Sequence, residues 1–568
     1  MSESAHMPQK TMLALGFLSG LGIFVLGNVE DWGVWPGESP LWLYPLWTLV
    51  LLVPLILLLS IEEDNKPKLL RYVGGYAAVM AVLGMYIGFQ GEPWGEFRVE
   101  DMTVVYALTM ALASFKALMY IQQRSSGQPM TYDVLFTYSW RNFLTGVLAG
   151  GFVFAFWLIL LLWGELFKAI GVMFFRDLFR EDWFHFPVLG VAAATGIIIF
   201  RKLTHVIDTI TRLLQALIKF LLPLVIGIGA LFILSLPFVG LDALWDTGSG
   251  TALLLWLLAL SLFFVNAVYQ DGRESHPYPQ IVHRLIYGGL ALMPIVSILS
   301  LYGLWLRLDQ YGWTVERAWA FVTWLILSLF AFGYLYGIVK KRDGWTTELA
   351  RVNTGMGLVV LVVMLLTNSP VVDFRKLSAA SQLARVESGA TDVLDFDFRY
   401  AYQTLARAGY LVVEDIRQQY AADNPELEQR IEDHAWPRTD AQRMTVDEFF
   451  ERVRFIGEVT DVPENLRQTI FSAAGGFGDD VTPYIVAANL DGDEGLEYVL
   501  LSTYGTYISN TLIFDETDEG WKHHQAYASD FSGGSSQTDD LESGDVSVHD
   551  PRFRNLRIGD VTIRPTSD

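Results

Sequence analysis

Residues Ala216-Leu-Ile-Lys-Phe-Leu-Leu-Pro-Leu-Val-Ile-Gly-Ile-Gly-Ala-Leu-Phe-Ile-Leu-Ser-Leu-Pro-Phe238 run for 23 positions with one charged side chain, Lys219. A helix that is apolar all round belongs in a large core or in lipid, and a bilayer core about 30 Å thick takes roughly 17 to 25 such residues. Six stretches of the same kind precede it: Thr11 to Leu26, Leu41 to Ile61, Tyr72 to Phe89, Thr103 to Ile121, Thr145 to Leu162 and Phe186 to Phe200. Four follow: Ala252 to Tyr269, Leu285 to Leu304, Ala318 to Ile338 and Val352 to Thr367. Eleven spans are expected, and the fold class is an all-α polytopic membrane helical bundle followed by a C-terminal soluble α+β domain. The composition agrees, with 52% of 568 residues hydrophobic, 18% charged and a mean hydropathy of +0.33, values unusual for soluble domains.

Charge divides the chain. The whole carries 40 basic and 62 acidic residues, a net of −22. From Pro370 onward there are 17 basic against 37 acidic residues, a net of −20, which leaves −2 for the first 369. The expected organisation is a transmembrane domain over 1–369, a mainly helical acidic region over 370–474, and a small acidic β-rich domain over 475–568. An acidic chain is a poor partner for nucleic acid. The absence of cysteine excludes disulfides, thiolate metal sites and a thiol nucleophile.

Orientation follows from the basic loops. With the N-terminus inside, the inner segments hold 15 Lys and Arg and the outer ones hold 6, counting Arg98, Lys168, Arg176, Arg180, Arg307 and Arg317 as outer. The expected placement is the bacterial inner membrane, N-terminus cytoplasmic and C-terminal domain extracytoplasmic. The first span lacks a small-x-small cleavage site and reads as a retained helix.

Two connections are more than loops. The Phe-rich run from Trp163 to Phe184 reads as an interfacial amphipathic helix whose apolar face also suits a lid. Arg201, His205, Asp208, Arg212, Gln215 and Lys219 recur every three or four residues, so they share one helical stripe. That stripe is either a solvated face or the lining of an aqueous pathway with His205 and Asp208 as a proton-accepting pair. Pro54, Pro223 and Pro294 are expected to kink their spans. Lys116 lies within the fourth span, near its cytoplasmic end, and Asn266 within the eighth, and no chain of midplane carboxylates resembles a proton relay.

Several strings resemble the bacterial membrane family catalogued as domain of unknown function 4153. They are Leu166-Phe-Lys-Ala-Ile-Gly171 with Asp177-Leu-Phe179, Asn266-Ala-Val-Tyr-Gln-Asp-Gly272, Leu306-Arg-Leu-Asp-Gln-Tyr-Gly-Trp-Thr-Val-Glu-Arg317, and Ser381-Gln-Leu-Ala-Arg385 with Ser388-Gly389 and Asp395-Phe-Asp-Phe398. They run from about Arg141 to Tyr410. The resemblance implies a polytopic inner-membrane protein and no particular activity.

Arg307, Gln310, Tyr311, Trp313 and Arg317 form a dense polar and aromatic cluster between the ninth and tenth spans. Thr314 suits an N-cap for the tenth span, and Tyr311 with Trp313 suit an interfacial belt. Two arginines on the outer side also suit a phosphate or carboxylate, with Glu165 and Asp309 as neighbouring acid or base groups. These residues are the candidate ligand site.

Beyond Pro370, charged helical stretches such as Leu427 to Asp433 and Val446 to Phe455 precede short β-like runs at Pro483–Ala488, Glu497–Ser502, Thr511–Phe514 and Val561–Arg564, read as a largely antiparallel sheet. Between the first two lies Asn489-Leu-Asp-Gly-Asp-Glu-Gly-Leu-Glu497. Asn489, Asp491, Asp493 and Glu497 offer oxygens for calcium, in a pattern resembling the calcium loops of β-propeller-like integrin and VCBS repeats. The alternative is an acidic hairpin turn. His523 and His524 alternate across a strand and read as solvated, and the stretch from Ser529 to Asp550 reads as a loop.

The chain has no Walker A loop, Gly-x-Ser-x-Gly elbow, His-Glu-x-x-His or Rossmann fingerprint. Three classes stay open: a membrane-anchored interaction or sensory subunit with a protein partner at the outer face, a small-solute transporter or channel, and a transferase acting on a lipid-linked anionic substrate. The first is favoured because of the acidic outer domain.

Overall fold

The computed structural model describes residues 7–29, 31–37, 39–91, 100–241, 244–245, 247–269, 277–422, 424–434, 446–457, 459–474, 481–490, 495–504, 507–517, 520–526, 541, 556–558 and 561–563. Arg98, Arg273, Gln270 to Gly272, Asp491, Asp493, Glu494, Arg564 and all of Ser529 to Asp550 except Leu541 lie outside the described residues. By its contacts the chain divides into two compact units, Met1–Trp436 and Pro437–Asp568.

The first unit is built from helices α1 (Gln9–Asn28), α2 (Pro40–Ser60), α3 (Lys66–Phe89), α4 (Glu100–Ser125), α5 (Tyr132–Ala169), α6 (Phe174–Arg180), α7 (Asp182–Lys202), α8 (Thr204–Val239), α9 (Gly250–Tyr269), α10 (Gln280–Ala291), α11 (Met293–Tyr311), α12 (Val315–Lys341) and α13 (Thr346–Leu366). Among the described residues eleven helical segments are long and apolar enough to cross a membrane, the ninth being α10 and α11 together. In lipid every backbone polar group must be satisfied within its own segment, which leaves the helix as the spanning form for such sequences. The apolar side chains turned outward, such as Phe220 at 79% and Phe238 at 89% exposure, are what a lipid-facing surface requires.

Small residues set the closest crossings. A Cβ on Gly16 would stand 2.4 Å from the Gly190 carbonyl oxygen, and one on Gly20 2.2 Å from that of Phe186. α1 and α7 therefore touch backbone to backbone, the means by which helices gain packing where no hydrophobic force draws them together. Gly84 and Gly88 do the same for α3 against Pro45 and Pro40 of α2.

Three features differ from the sequence expectation. α5 and α8 are 38 and 36 residues long, about 57 and 54 Å at 1.5 Å per residue, because their polar N-terminal portions continue the helix beyond the apolar stretch. The expected amphipathic helix over 163–184 is instead the end of α5, a turn and the short α6. Its rings pack on one another, Phe175 4.6 Å from Phe167 and Phe179 5.7 Å from Trp163, while Ile170 and Phe174 stay exposed. Pro294, expected inside a span, sits instead in the first turn of α11, where its missing N–H is not needed, while Pro54 and Pro223 lie inside α2 and α8.

Eleven crossings put the start of α1 and the end of α13 on opposite faces, here called near and far. At the far face α14 (Phe374–Glu387), α15 (Phe398–Thr404), α16 (Ala406–Ile416) and α17 (Pro425–His434) pack around Phe396, Phe398, Leu405, Val413, Leu427 and Ile431.

The second unit contains α18 (Val446–Arg452), β1 (Arg454–Ile456), α19 (Glu464–Ala474), β2 (Val481–Ala488), β3 (Glu497–Tyr504), β4 (Tyr507–Thr517) and β5 (Gly520–Ala526). The five strands lie in the order β1-β2-β3-β4-β5. Among the described strands of this sheet β1 and β2 pair in parallel and the others antiparallel. Phe449, Leu466, Ile470, Ile485, Leu500 and Phe514 form its core. β6 (Leu556–Ile558) and β7 (Val561–Ile563) make a separate antiparallel pair.

Candidate functional site

The segment from Arg307 to Arg317 holds the far-face helices to the bundle. Thr314 N-caps α12, its hydroxyl accepting from the Arg317 amide at 3.4 Å. The backbone N–H of Trp313 donates to Ser381 Oγ at 3.0 Å, and that of Val315 donates to the Tyr400 hydroxyl at 3.0 Å. Gln382 Nε2 donates to the carbonyls of Tyr311 and Trp313. Gly312, at φ 70°, takes the left-handed turn that lets the chain reverse between α11 and α12. Burial pushes the Tyr400 hydroxyl pKa up, so it stays protonated and can donate while it receives the Val315 amide.

The candidate ligand residues divide among three places. Arg317 donates to the Gly312 carbonyl at 2.9 Å and lies 5.2 Å over the Tyr311 ring, so its guanidinium is engaged with its own turn. Arg307 and Gln310 line a cavity of about 160 Å³ with Trp245, Thr251 and Gly303. Glu165 pairs with Lys168 at 3.4 Å and Arg176 at 3.5 Å, partners from α5 and α6.

A larger cavity, about 340 Å³, opens at the far face among α3, α4, α12, α14 and α15. Ile87, Met102, Val104, Val105, Trp319 and Phe374 give it apolar walls, and Tyr106, Glu316, Asn368, Asp373, Arg375 and Thr404 give it polar ones. Asp373 caps α14, accepting from the Arg375 amide and from Arg375 Nε, each at 3.0 Å. Its second oxygen accepts from the Tyr86 hydroxyl at 2.5 Å. Arg375 Nη1 lies against Met102 Sδ. Burial pushes the Asp373 carboxyl up, but the Arg375 charge and the Tyr86 and Arg375 hydrogen bonds outweigh it and hold the pKa below the usual carboxylate range. Both residues are only 7% exposed.

At the near face the charges are arranged differently. Glu348 meets Lys341 at 2.9 Å, Lys340 at 3.9 Å and Arg351 at 2.5 Å. Asp343 holds Arg284 at 2.9 Å and Tyr287 at 3.1 Å. Buried His283 bonds Tyr269 at 3.0 Å and the Asp343 carbonyl at 3.2 Å. Deeper in the bundle the Tyr334 hydroxyl lies 2.7 Å from Asn266 Oδ1 and 2.5 Å from Asn353 Oδ1, with a single proton to give to one of them. On the stripe, Asp208 pairs with Arg141 at 3.6 Å.

Of the calcium candidates, Asn489 and Glu497 are described and Asp491 and Asp493 are not. Glu497 pairs across the β2–β3 ladder with Ala488, and its carboxylate accepts from the Leu490 amide at 2.5 Å. Among the described residues no three His, Cys, Asp or Glu side chains are grouped to hold a metal. His523 and His524 both lie exposed on β5.

No curated protein and no solved structure matches the chain. A family model described as Domain of unknown function (DUF4153) matches residues 18–416, well over half of the sequence. It takes in all the spans except the start of the first, and the far-face helices up to the end of α16. The match thus covers the helical bundle and α14 to α16, and the chain belongs to the DUF4153 family.

Proposed function

We propose that this polytopic membrane protein is an anchored interaction or sensory subunit of the bacterial inner membrane, displaying an acidic domain outside the cytoplasm. The observation that carries this reading is the second compact unit, Pro437–Asp568, with its own helix-and-sheet core. It bears 10 basic against 25 acidic residues, a net of −15. A folded unit of that charge suits a basic partner surface, because complementary charge steers association. The preponderance of Lys and Arg at near-face loops supports the cytoplasmic assignment of that side. Calcium at Asn489, Asp491, Asp493 and Glu497 would lower the charge of the unit locally.

The test compares the full chain with one ending at Trp436, both expressed in a deletion strain and cross-linked in cells. The reading expects the shorter chain to insert, to lose a cross-linked partner seen with the full chain, and to fail to restore the deletion phenotype. Full restoration by the shorter chain overturns it.

A second reading, a small-solute transporter, has in its favour the polar cluster of Asn266, Tyr334 and Asn353 inside the bundle and the break between α10 and α11 in the ninth span. Membrane sites are commonly built where polar groups and interrupted helices meet. In that reading Arg307 and Gln310, which line a cavity with Trp245 and Thr251, would meet an anionic solute at the far face. Substrate uptake into proteoliposomes would place it first.

A further inference from the structure

We propose that the 340 Å³ far-face cavity binds the phosphodiester headgroup of a membrane phospholipid at Arg375, with an acyl chain leaving past Val104. Arg375 is 7% exposed. Its Nε is committed to Asp373 and its Nη1 faces the thioether of Met102, a weak acceptor. Among the described residues nothing accepts from Nη2. A buried guanidinium whose Nη2 has no acceptor among them, and whose Nη1 meets only a thioether, offers charge-assisted donation to a phosphate oxygen. Asp373 already balances the arginine charge, so a monoanionic diester suits the site better than a dianion.

Depth and shape select a lipid over a dissolved anion. Met102 and Val315, both in the cavity wall, are the first residues of the fourth and tenth spans, and the eleventh ends at Leu366, just before Thr367 and Asn368 of the same wall. The cavity therefore lies where spans end, at headgroup level. Its apolar wall continues onto Val104, 56% exposed on α4, which leads outward to lipid. A volume near the lower end of ligand pockets, about 300 Å³, fits a headgroup and the first part of one chain. Glu316 is exposed at the rim, where its carboxylate would accept from a headgroup hydroxyl or ammonium and repel free phosphate.

The experiment uses purified, delipidated full-length protein with phosphatidylglycerol added, read by native mass spectrometry. Wild type is expected to hold one lipid through Arg375. Arg375→Gln removes the donor, and Val104→Trp fills the mouth from a surface where bulk is tolerated; each is expected to weaken retention about tenfold or more. Excess inorganic phosphate is expected to leave the lipid in place. Retention unchanged in Val104→Trp overturns the proposal, and this variant alone decides if Arg375→Gln fails to fold. Displacement by inorganic phosphate equally overturns it, since the site would then serve a free anion.

Discussion

The two faces of the bundle each bury a carboxylate beside cations, and they use the same chemistry to opposite ends. At the near face the Glu348 side chain is 4% exposed, while those of Lys341, Lys340 and Arg351 are 40, 47 and 75% exposed. One buried acid gathers the charged ends of three cations whose side chains are otherwise well exposed. At the far face both partners are buried, Arg375 at 9% and Asp373 at 1% by side chain, and the pair borders a cavity. The near arrangement is closed on itself; the far one leaves guanidinium donors facing an open volume. A charge pair thus marks a site only when its hydrogen-bonding capacity is not already spent within the protein.

The largest effect should come from splitting the far pair. Asp373→Ala strands a buried guanidinium and is expected to lower stability by about 3–5 kcal/mol, read as a fall in melting temperature of the purified protein. Asp373→Ala combined with Arg375→Met should recover much of that loss, because no charge is left unpaired; equal losses in the single and double variants would break the account of the pair. Next comes the seam that holds α14 to α12. Thr314→Ala removes the cap and should cost about 1 kcal/mol. The smallest change belongs to the near face, where Arg351→Ala removes a mostly exposed partner and should alter stability by under about 1 kcal/mol.

Acidity sharpens the same contrast. The Asp373 carboxyl is held below its ordinary value, so its stabilising contribution is present above the unfolded-state pKa and disappears as pH falls through the folded one. The melting temperature of wild type should therefore decline below about pH 4, and Asp373→Asn should show a smaller decline over the same window.

Much of this was legible in the sequence because apolar length is a local property. The eleven spans and the Thr314 cap follow from residues within a few positions of one another, as do the short β-like runs of β2 and β3. The extension of α5 before Thr145 was not legible, since Tyr132 to Asn142 mix apolar and polar residues without an unbroken apolar run; for α8 the stripe from Arg201 to Lys219 marks a helix, but its unbroken continuation into the span is not a local signal. The far-face cavity was hidden for a different reason. Tyr86 and Asp373 are 287 residues apart, and Met102 and Arg375 273, so no window contains the site. The one local signal was Asp373-Phe-Arg375 directly after the last span, two opposite charges where the chain leaves the membrane. Likewise the change of charge near Asn368 is a change of composition, whereas the contact boundary falls at Trp436, because α14 to α17 pack with the bundle.

The central claim, that the two faces lie on opposite sides of the membrane with the far face outside, can be measured directly because the chain has no cysteine. Single cysteines would be placed at Asp64, exposed between α2 and α3 on the near face, and at Gln403, exposed on α15 at the far face, and spheroplasts treated with a membrane-impermeant maleimide. The account predicts labelling of Gln403→Cys in intact spheroplasts and of Asp64→Cys only after permeabilisation. Labelling of Asp64→Cys in intact spheroplasts, with Gln403→Cys protected, would contradict it.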